Sequence, residues 1–190
     1  MLPALDTDDR LETARLMLVP LTPAHAEPLF ALLDDWEVVR MLAAVPWPLT
    51  LDDVASHAAG LQHQSPARAD FVITARNGPV GMCTVKAPGT GRPPRAMPRL
   101  GYWIGRRHWG QGYATEALEA LAGYAFRSFG GNLTGAGVFA DNPASRRVLE
   151  KLGFERAGAY SLACRSRGET VTVEDFRTTR ARWAERTQRR

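Results

Sequence analysis

From Arg99 to Phe129 the chain reads as a strand, a glycine-bearing turn and an amphipathic helix, with no spacer between them. The run Arg99-Leu100-Gly101-Tyr102-Trp103-Ile104-Gly105 has strand character. Beyond it Ala114, Leu118, Leu121 and Ala125 recur at i, i+4, i+7 and i+11 and predict a helix to about Phe129. The junction is Gly105-Arg106-Arg107-His108-Trp109-Gly110-Gln111-Gly112-Tyr113-Ala114. A strand that turns straight into a helix brings unpaired backbone N–H groups and the positive end of the helix dipole to one point. With arginines alongside, such a place holds an anion, typically a phosphate. The structural alternative is that the glycines only make a tight turn.

Two nucleotide motifs fail here. Gly105 to Gly110 has Walker spacing, but Gln111-Gly112 stands where Lys-Ser/Thr is required, so no side chain reaches a γ-phosphate or magnesium. Gly135-Ala136-Gly137-Val138-Phe139-Ala140 spells GxGxxA, yet it lies within a predicted strand rather than between a strand and a helix.

The rest of the chain supplies elements of both kinds. Ala14 to Val19 predicts a first strand, and Thr22-Pro23 opens a helix to about Leu33. Thr50 with Asp53 starts a second helix that fades near Gln64. Phe71–Ala75 and Val80–Lys86 flank Asn77-Gly78, a hairpin signal because both residues tolerate positive φ. Leu133–Ala140 predicts a strand, Asn142-Pro143 caps a short helix ended by Gly153, and Phe154–Cys164 with Thr170–Thr178 predict a closing antiparallel pair. Seven strands and about four helices in this order describe a mixed α/β domain with a mostly antiparallel sheet. The breaker-rich stretch Pro88 to Pro98 is a loop inside it, and residues 1–190 read as a single domain.

Composition narrows the classes further. The 190 residues are 45% hydrophobic and 23% charged, which excludes disordered and collagenous chains. Cys83 and Cys164 show no CxxC spacing, so free buried thiols in a reducing compartment are expected. Asp6, Asp8 and Asp9 stand where a signal peptide needs positive charge, and no run of 18 apolar residues follows; a cytoplasmic, non-membrane protein is expected. The net charge of +4 does not indicate nucleic acid, because residues 177–190 alone hold six arginines and one acid. Without them 18 basic and 19 acidic residues remain, so the basicity belongs to a tail, read here as a solvated or frayed end. Arg92, Arg95, Arg99, Arg106 and Arg107 form a second cluster free of acids. The four histidines, His25, His57, His63 and His108, lack metal-ligand spacing.

The segment Arg107-His108-Trp109-Gly110-Gln111-Gly112 resembles motif A of the GNAT acetyltransferases, Q/R-x-x-G-x-G/A. Around it, Gly101-Tyr102-Trp103-Ile104-Gly105, Tyr113-Ala114-Thr115-Glu116-Ala117, Asn142-Pro143-Ala144-Ser145 and Leu149-Glu150-Lys151-Leu152-Gly153-Phe154 are similar to the RimJ/RimL branch. So is Leu11-Glu12-Thr13-Ala14-Arg15-Leu16. The resemblance implies a GNAT fold splayed between its fourth and fifth strands, with acetyl-CoA as co-substrate. Its pyrophosphate would lie on N–H groups between Arg107 and Gly112 at the start of the helix bearing Tyr113 and Ala114. Pantetheine would fill the splay like an added strand, and the backbone near Trp103 and Ile104 would bind the thioester oxygen. Asn142 would contact pantetheine and Ser145 would sit near the sulfur, with Arg106 and Arg107 adding charge. Asn142 and Ser145 also have ordinary capping roles, and one of Tyr102 and Trp103 is ordinary core.

Acetyl transfer to an amine needs a neutral nucleophile. A lysine-like amine is only about 0.04% neutral at pH 7, whereas an α-amine is roughly 10 to 20% neutral. The position before the GYW strand, where many relatives carry an acid, is Arg99, leaving Glu37 and Asp35 as candidate bases. Where other GNAT enzymes place a tyrosine to protonate the departing thiolate, this chain has Leu149; Ser145 is the branch's substitute and a poor acid. The expected reaction is direct attack by a primary amine: a protein N-terminus, an amino sugar or antibiotic, or a polyamine. The acting unit would be a monomer or homodimer. A non-catalytic CoA-sensing or ribosome/RNA-binding module is the other class.

Overall fold

The computed structural model describes residues 9–60, 68–89 and 96–188. Among them, eight strands form one sheet: β1 (Leu11–Glu12), β2 (Met17–Pro20), β3 (Arg68–Ala75), β4 (Gly78–Lys86), β5 (Arg99–Ile104), β6 (Leu133–Phe139), β7 (Glu155–Cys164) and β8 (Glu169–Thr179). Their spatial order is β1-β2-β3-β4-β5-β6-β8-β7. The helices are α1 (Ala26–Leu33), α2 (Trp36–Val39), α3 (Leu51–Gly60), α4 (Tyr113–Phe129), α5 (Pro143–Lys151) and α6 (Arg180–Gln188). Every strand pairing is antiparallel except β5 with β6. That parallel pair meets only at Arg99↔Gly135 and Leu100↔Ala136 and then opens, the expected splay.

Side-chain alternation gives the sheet two apolar faces. One face, with Phe71, Val85, Leu100, Ala136 and Phe176, packs on Leu118 and Leu121 of α4 and Leu149 of α5. The other, with Val72 and Met82, packs on Leu29 and Leu33 of α1, Val39 of α2 and Val54 of α3. Leu118, Leu121, Leu149 and Phe176 are at most 1% exposed, each worth about 1.5–3 kcal/mol of burial.

Several boundaries differ from those expected. Ala14 and Arg15 are not strand: Thr13 N–H donates to Leu16 O and Leu16 N–H donates back to Thr13 Oγ1, each at 2.9 Å, closing a turn that creates the additional two-residue strand β1. At Asn77-Gly78 only Gly78 takes positive φ, +109°. Pro23–His25 is a 3₁₀ turn before α1 begins, and Asp35 caps the unforeseen α2 by accepting from Glu37 N–H at 2.9 Å. The second helix is described over Leu51–Gly60; its expected end near Gln64 falls in the stretch 61–67, which with His63 lies outside the described residues, as do Arg92 and Arg95.

The largest correction concerns the arginine-rich end, which is a docked helix rather than a frayed tail. Trp183 of α6 stacks 5.6 Å from Phe126 and presses on Gly123 of α4, where an added Cβ would stand 3.2 Å from its ring. Arg180 donates to Phe126 O and lies over the Phe126 ring, and Arg182 pairs with Glu155. Trp183→Ala should cost about 2–3 kcal/mol, below a fully buried tryptophan because the ring is half-exposed. Urea unfolding measures it; a change under 0.5 kcal/mol, the size of an ordinary surface substitution, would return α6 to the status of a loose end.

Candidate functional site

The turn after β5 combines a 3₁₀ turn with two left-handed glycines. His108 N–H donates to Gly105 O at 2.8 Å and Trp109 N–H to Arg106 O at 3.1 Å, so both are already engaged. Gly110 and Gly112 then take φ of +75° and +80°, and Gly112 is the N-cap of α4. The first helical bond is Glu116 N–H to Gly112 O at 3.1 Å. From Gly110 to Thr115 the N–H groups therefore find no backbone acceptor among the described residues, and they converge at the positive end of a 17-residue helix. Within the expected run from Arg107 to Gly112, the His108 and Trp109 N–H groups are taken up by the 3₁₀ turn, while those of Arg107 and of Gly110 to Gly112 find no backbone acceptor among the described residues.

Below that turn lies an open strand edge. Gly105 N–H donates to Val80 O at 2.9 Å on the β4 side, whereas Pro98 O accepts from Gly135 N–H at 3.1 Å on the β6 side. Alternation between these fixed points turns the peptide groups of Gly101 and Trp103 toward β4 and those of Tyr102 and Ile104 toward β6. Past Leu100 no β6 residue pairs with them. The Ile104 carbonyl accepts from the Trp109 indole N–H at 2.6 Å. Across the gap Ala140 N–H donates to Thr172 O at 3.0 Å on the β8 side, so Gly137 and Phe139 direct their peptide groups into the opening. Of the two residues expected at the thioester oxygen, Ile104 offers its N–H to the gap; the Trp103 backbone faces β4, with its ring on the Val72 and Met82 face.

The far wall begins at Asn142, the N-cap of α5. Its Oδ1 accepts from Ser145 N–H at 3.0 Å. Ser145 Oγ lies 2.7 Å from the Tyr102 hydroxyl, a contact between residues 43 apart that sequence reasoning missed. Burial pushes the Tyr102 pKa up to about 12, against the opposing hydrogen bond from Ser145. A phenol held neutral has a proton to give, and either hydroxyl can be the donor of this bond; with Tyr102 as donor, the serine's own proton is free to point into the cleft. Leu149, in the position of the missing tyrosine, is fully buried.

Two sequence blocks far apart meet at the turn. Glu116, in the first turn of α4, accepts from Thr13 Oγ1, Arg15 N–H and Arg15 Nε, each at 2.7 Å. Arg15 Nη1 donates to Gln111 O at 3.0 Å, and its guanidinium covers the Tyr113 ring at 5.1 Å. Burial alone would raise the Glu116 pKa, but the bonds from Thr13 and Arg15 outweigh it and hold the carboxyl below its ordinary range. A depressed carboxylate stabilises the fold above its unfolded pKa, about 4.3, and loses that contribution as pH falls through the lower folded value. Glu116→Gln should cost about 1–2 kcal/mol and, with the pyrophosphate at this turn as the resemblance implies, weaken acetyl-CoA about tenfold by freeing the turn. Thermal unfolding and calorimetry read the two effects; an unchanged affinity would show that the turn needs no anchor.

A cavity of about 1270 Å³ joins these parts, lined by Trp103, Gly112, Tyr113, Asn142 and Ser145 on one side and by Glu37, Lys86 and Arg99 on another. Glu37 faces the cavity and pairs with Arg40 at 3.5 Å, while Asp35 is occupied as the α2 cap and by Arg106 at 3.7 Å. Arg107 is exposed and its Nε lies 3.0 Å from His108 Nε2; burial and then Arg107 hold His108 below the ordinary histidine range. Cys83 and Cys164 are both buried and free, and burial pushes the Cys83 thiol far up. Among the described residues no cluster of three His, Cys, Asp or Glu is poised for a metal, and no helix is long and apolar enough to cross a membrane.

Comparison with known proteins gives a consistent result. Residues 15–155 match the family described as the acetyltransferase (GNAT) domain. The chain is 31% identical over 153 residues to the uncharacterized N-acetyltransferase YoaA of Bacillus subtilis (strain 168), covering 78% of this chain and 84% of that one. It is also 31% identical over 157 residues to FsC-acetyl coenzyme A-N(2)-transacetylase of Aspergillus fumigatus, covering 79% and 66%. Mycobacterium smegmatis RimJ in complex with CoA-disulfide shares the fold, with a TM-score of 0.75 at 21% identity over 90% of this chain and 87% of that one. A family match over most of the chain, on a fold that opens beneath a glycine turn at a helix start, makes this protein a member of the GNAT family and an acetyl-CoA N-acetyltransferase.

Proposed function

We propose that acetyl-CoA lies in the β5/β6 opening, its pyrophosphate on the N–H groups from Gly110 to Thr115 and its pantetheine between the Tyr102–Ile104 and Gly137–Phe139 edges. The observation that carries this reading is the coincidence of two unpaired sets of peptide groups. The helix start needs an anion and the open edges need a strand-like partner; one extended phosphorylated ligand serves both. The N–H groups of Tyr102 and Ile104 then face the thioester carbonyl and stabilise the oxyanion as the amine adds. Ser145, with its proton directed outward by Tyr102, donates a hydrogen bond to the departing sulfur. A thiolate of pKa near 8.5 leaves without full protonation, which suits a serine in that place.

The acceptor is a primary amine entering from the cavity side and attacking acetyl-CoA directly. The RimJ/RimL-like blocks around Gly110 and Asn142 support this chemistry but do not distinguish among acceptors. Glu37 is one of three carboxylates that line the cavity, with Asp53 and Asp141, and is our candidate to take the amine proton.

Calorimetric titration with acetyl-CoA at two salt concentrations tests the placement. Micromolar binding that persists in salt is expected, because pantetheine burial is not screened; no binding would overturn it. An acetyl group retained covalently on the denatured protein after incubation with labelled acetyl-CoA alone would refute direct attack.

A further inference from the structure

Strand register aligns three cations across the cavity floor. Arg68 pairs with Lys86, and Lys86 with Arg99, so their side chains rise from neighbouring positions of β3, β4 and β5 on the face that carries Val72 and Met82. Like charges placed directly opposite are unfavourable, and only two of the three are neutralised nearby. Arg68 is held by Asp70 at 2.5 and 2.7 Å. Arg99 Nη1 lies 2.6 Å from Asp175, but Asp175 also serves Arg177 at 2.9 Å. Lys86 has no carboxylate within ion-pair distance among the described residues. On the strands that form the floor, four cations thus share two carboxylates, an excess of two positive charges there; Glu37, Asp53 and Asp141 stand elsewhere on the cavity lining.

Arg99 brings that charge to the foot of the cleft. Its guanidinium lies across β6, which is possible because Gly135 has no Cβ there to collide with it. Nη2 would stand 3.6 Å from a Cβ on Gly137, the first β6 residue past the last paired one. The Arg99 side chain is 11% exposed, and its Nη2 is buried with no hydrogen-bond partner among the described residues; Thr84 Oγ1, on the same face, is buried in the same condition. A buried guanidinium nitrogen and hydroxyl left unpaired beside a reaction cleft mark where a ligand's acceptor atoms belong. The glycine pair in Gly135-Ala136-Gly137, misplaced for a dinucleotide, has a use here: it lets Arg99 reach the opening.

We infer that the acetyl acceptor is an amino-acid-type amine whose carboxylate is held by Arg99 and Lys86 while its amino group faces the thioester. Arg99 Nη2 reaches the Gly137 position at the edge of the opening, which puts the carboxylate on a small molecule whose amine is directed into the cleft, as in an amino acid. Arginine and carboxylate match as a planar pair, and the excess positive charge disfavours polyamines and aminoglycosides by like-charge repulsion. Both Lys86 and His57 of α3 are held below their ordinary pKa by burial first and Arg68 second, which is consistent with an electropositive floor.

This inference rests on the cleft being the acetyl-CoA site, and the test separates the two. The full chain is titrated with acetyl-CoA in one arm and, in the presence and absence of CoA, with N-acetyl-L-alanine and N-acetyl-L-alaninamide in the other. This product pair differs by a carboxylate and involves no amine pKa. The carboxylate should bind about 10- to 100-fold tighter than the amide, and Lys86→Met should bring that ratio to within about threefold of one. Arg99→Gln with Asp175→Asn, which removes both members of the ion pair together, should do the same. Equal binding of acid and amide, a preference that survives in both variants, or faster acetylation of spermidine than of L-alanine would overturn the inference. Failure of acetyl-CoA to bind would instead overturn the cleft assignment, with the acid/amide ratio still read on the unloaded chain.

Discussion

A Gly112→Val chain is expected to fold and to bind acetyl-CoA at least about 100-fold more weakly than the parent. Gly112 holds φ +80° as the N-cap of α4, a conformation that costs a β-branched residue on the order of 1–3 kcal/mol. Its Cβ would also stand 3.2 Å from Arg15 Nη2, the guanidinium that braces the turn through Gln111 O. The turn would escape by rotating the Gly112 peptide, which re-aims the first free N–H groups of the helix start. Because the sheet and α4 are buried elsewhere, unfolding by circular dichroism should show a loss of no more than about 3 kcal/mol. Gly110 provides the comparison: its φ is +75°, but nothing lies within 4 Å of its Cβ position, so Gly110→Ala tests backbone conformation alone. A weaker loss at Gly110 than at Gly112 is expected. Unaltered affinity in Gly112→Val, by calorimetry on protein with a native spectrum, would remove the pyrophosphate from this turn.

That the turn and its helix were legible in the sequence follows from their being local. Glycines at a strand-to-helix junction and apolar residues at helical spacing act within a few residues of each other, as does Asn142 capping α5 through Ser145 N–H. Contacts that cross the chain left no such trace. Glu116 binds Thr13 and Arg15 about a hundred residues away, and neither end shows a periodicity that names the other. Arg99 reads in the sequence as one of an acid-free basic cluster and as a position where a base is absent. Its alignment with Arg68 and Lys86 depends on strand register, which a single chain does not display. The arginine-rich end was misread because charge dominates its composition, while one residue, Trp183, decides that it docks. The missing tyrosine at Leu149 pointed to a weak leaving-group partner for the same reason. The phenol that supports Ser145 comes from β5, on the other side of the opening.

Ser145→Ala is expected to lower kcat about 10- to 100-fold while changing the affinity for acetyl-CoA by no more than about threefold. The range lies at or below that usual for general acids because a thiolate near pKa 8.5 is a tolerable leaving group, so a hydrogen bond is lost rather than an obligatory proton. The α5 cap survives, since Asn142 Oδ1 takes the backbone N–H of residue 145 and not its side chain. Tyr102→Phe should reproduce a smaller part of the loss, about tenfold, because Ser145 Oγ is then free to turn its proton elsewhere. The pH profile separates this role from packing. Burial raises the Tyr102 pKa to about 12, so the phenol keeps its proton throughout the range in which acceptor amines become neutral. The Tyr102→Phe deficit should therefore be constant between about pH 7 and 10. A deficit that grows through that range would make Tyr102 a titrating acid in its own right. A normal rate in Ser145→Ala would leave the serine as no more than a residue in the first turn of α5, and would move the search for the thiolate's partner to the free N–H groups of the cleft.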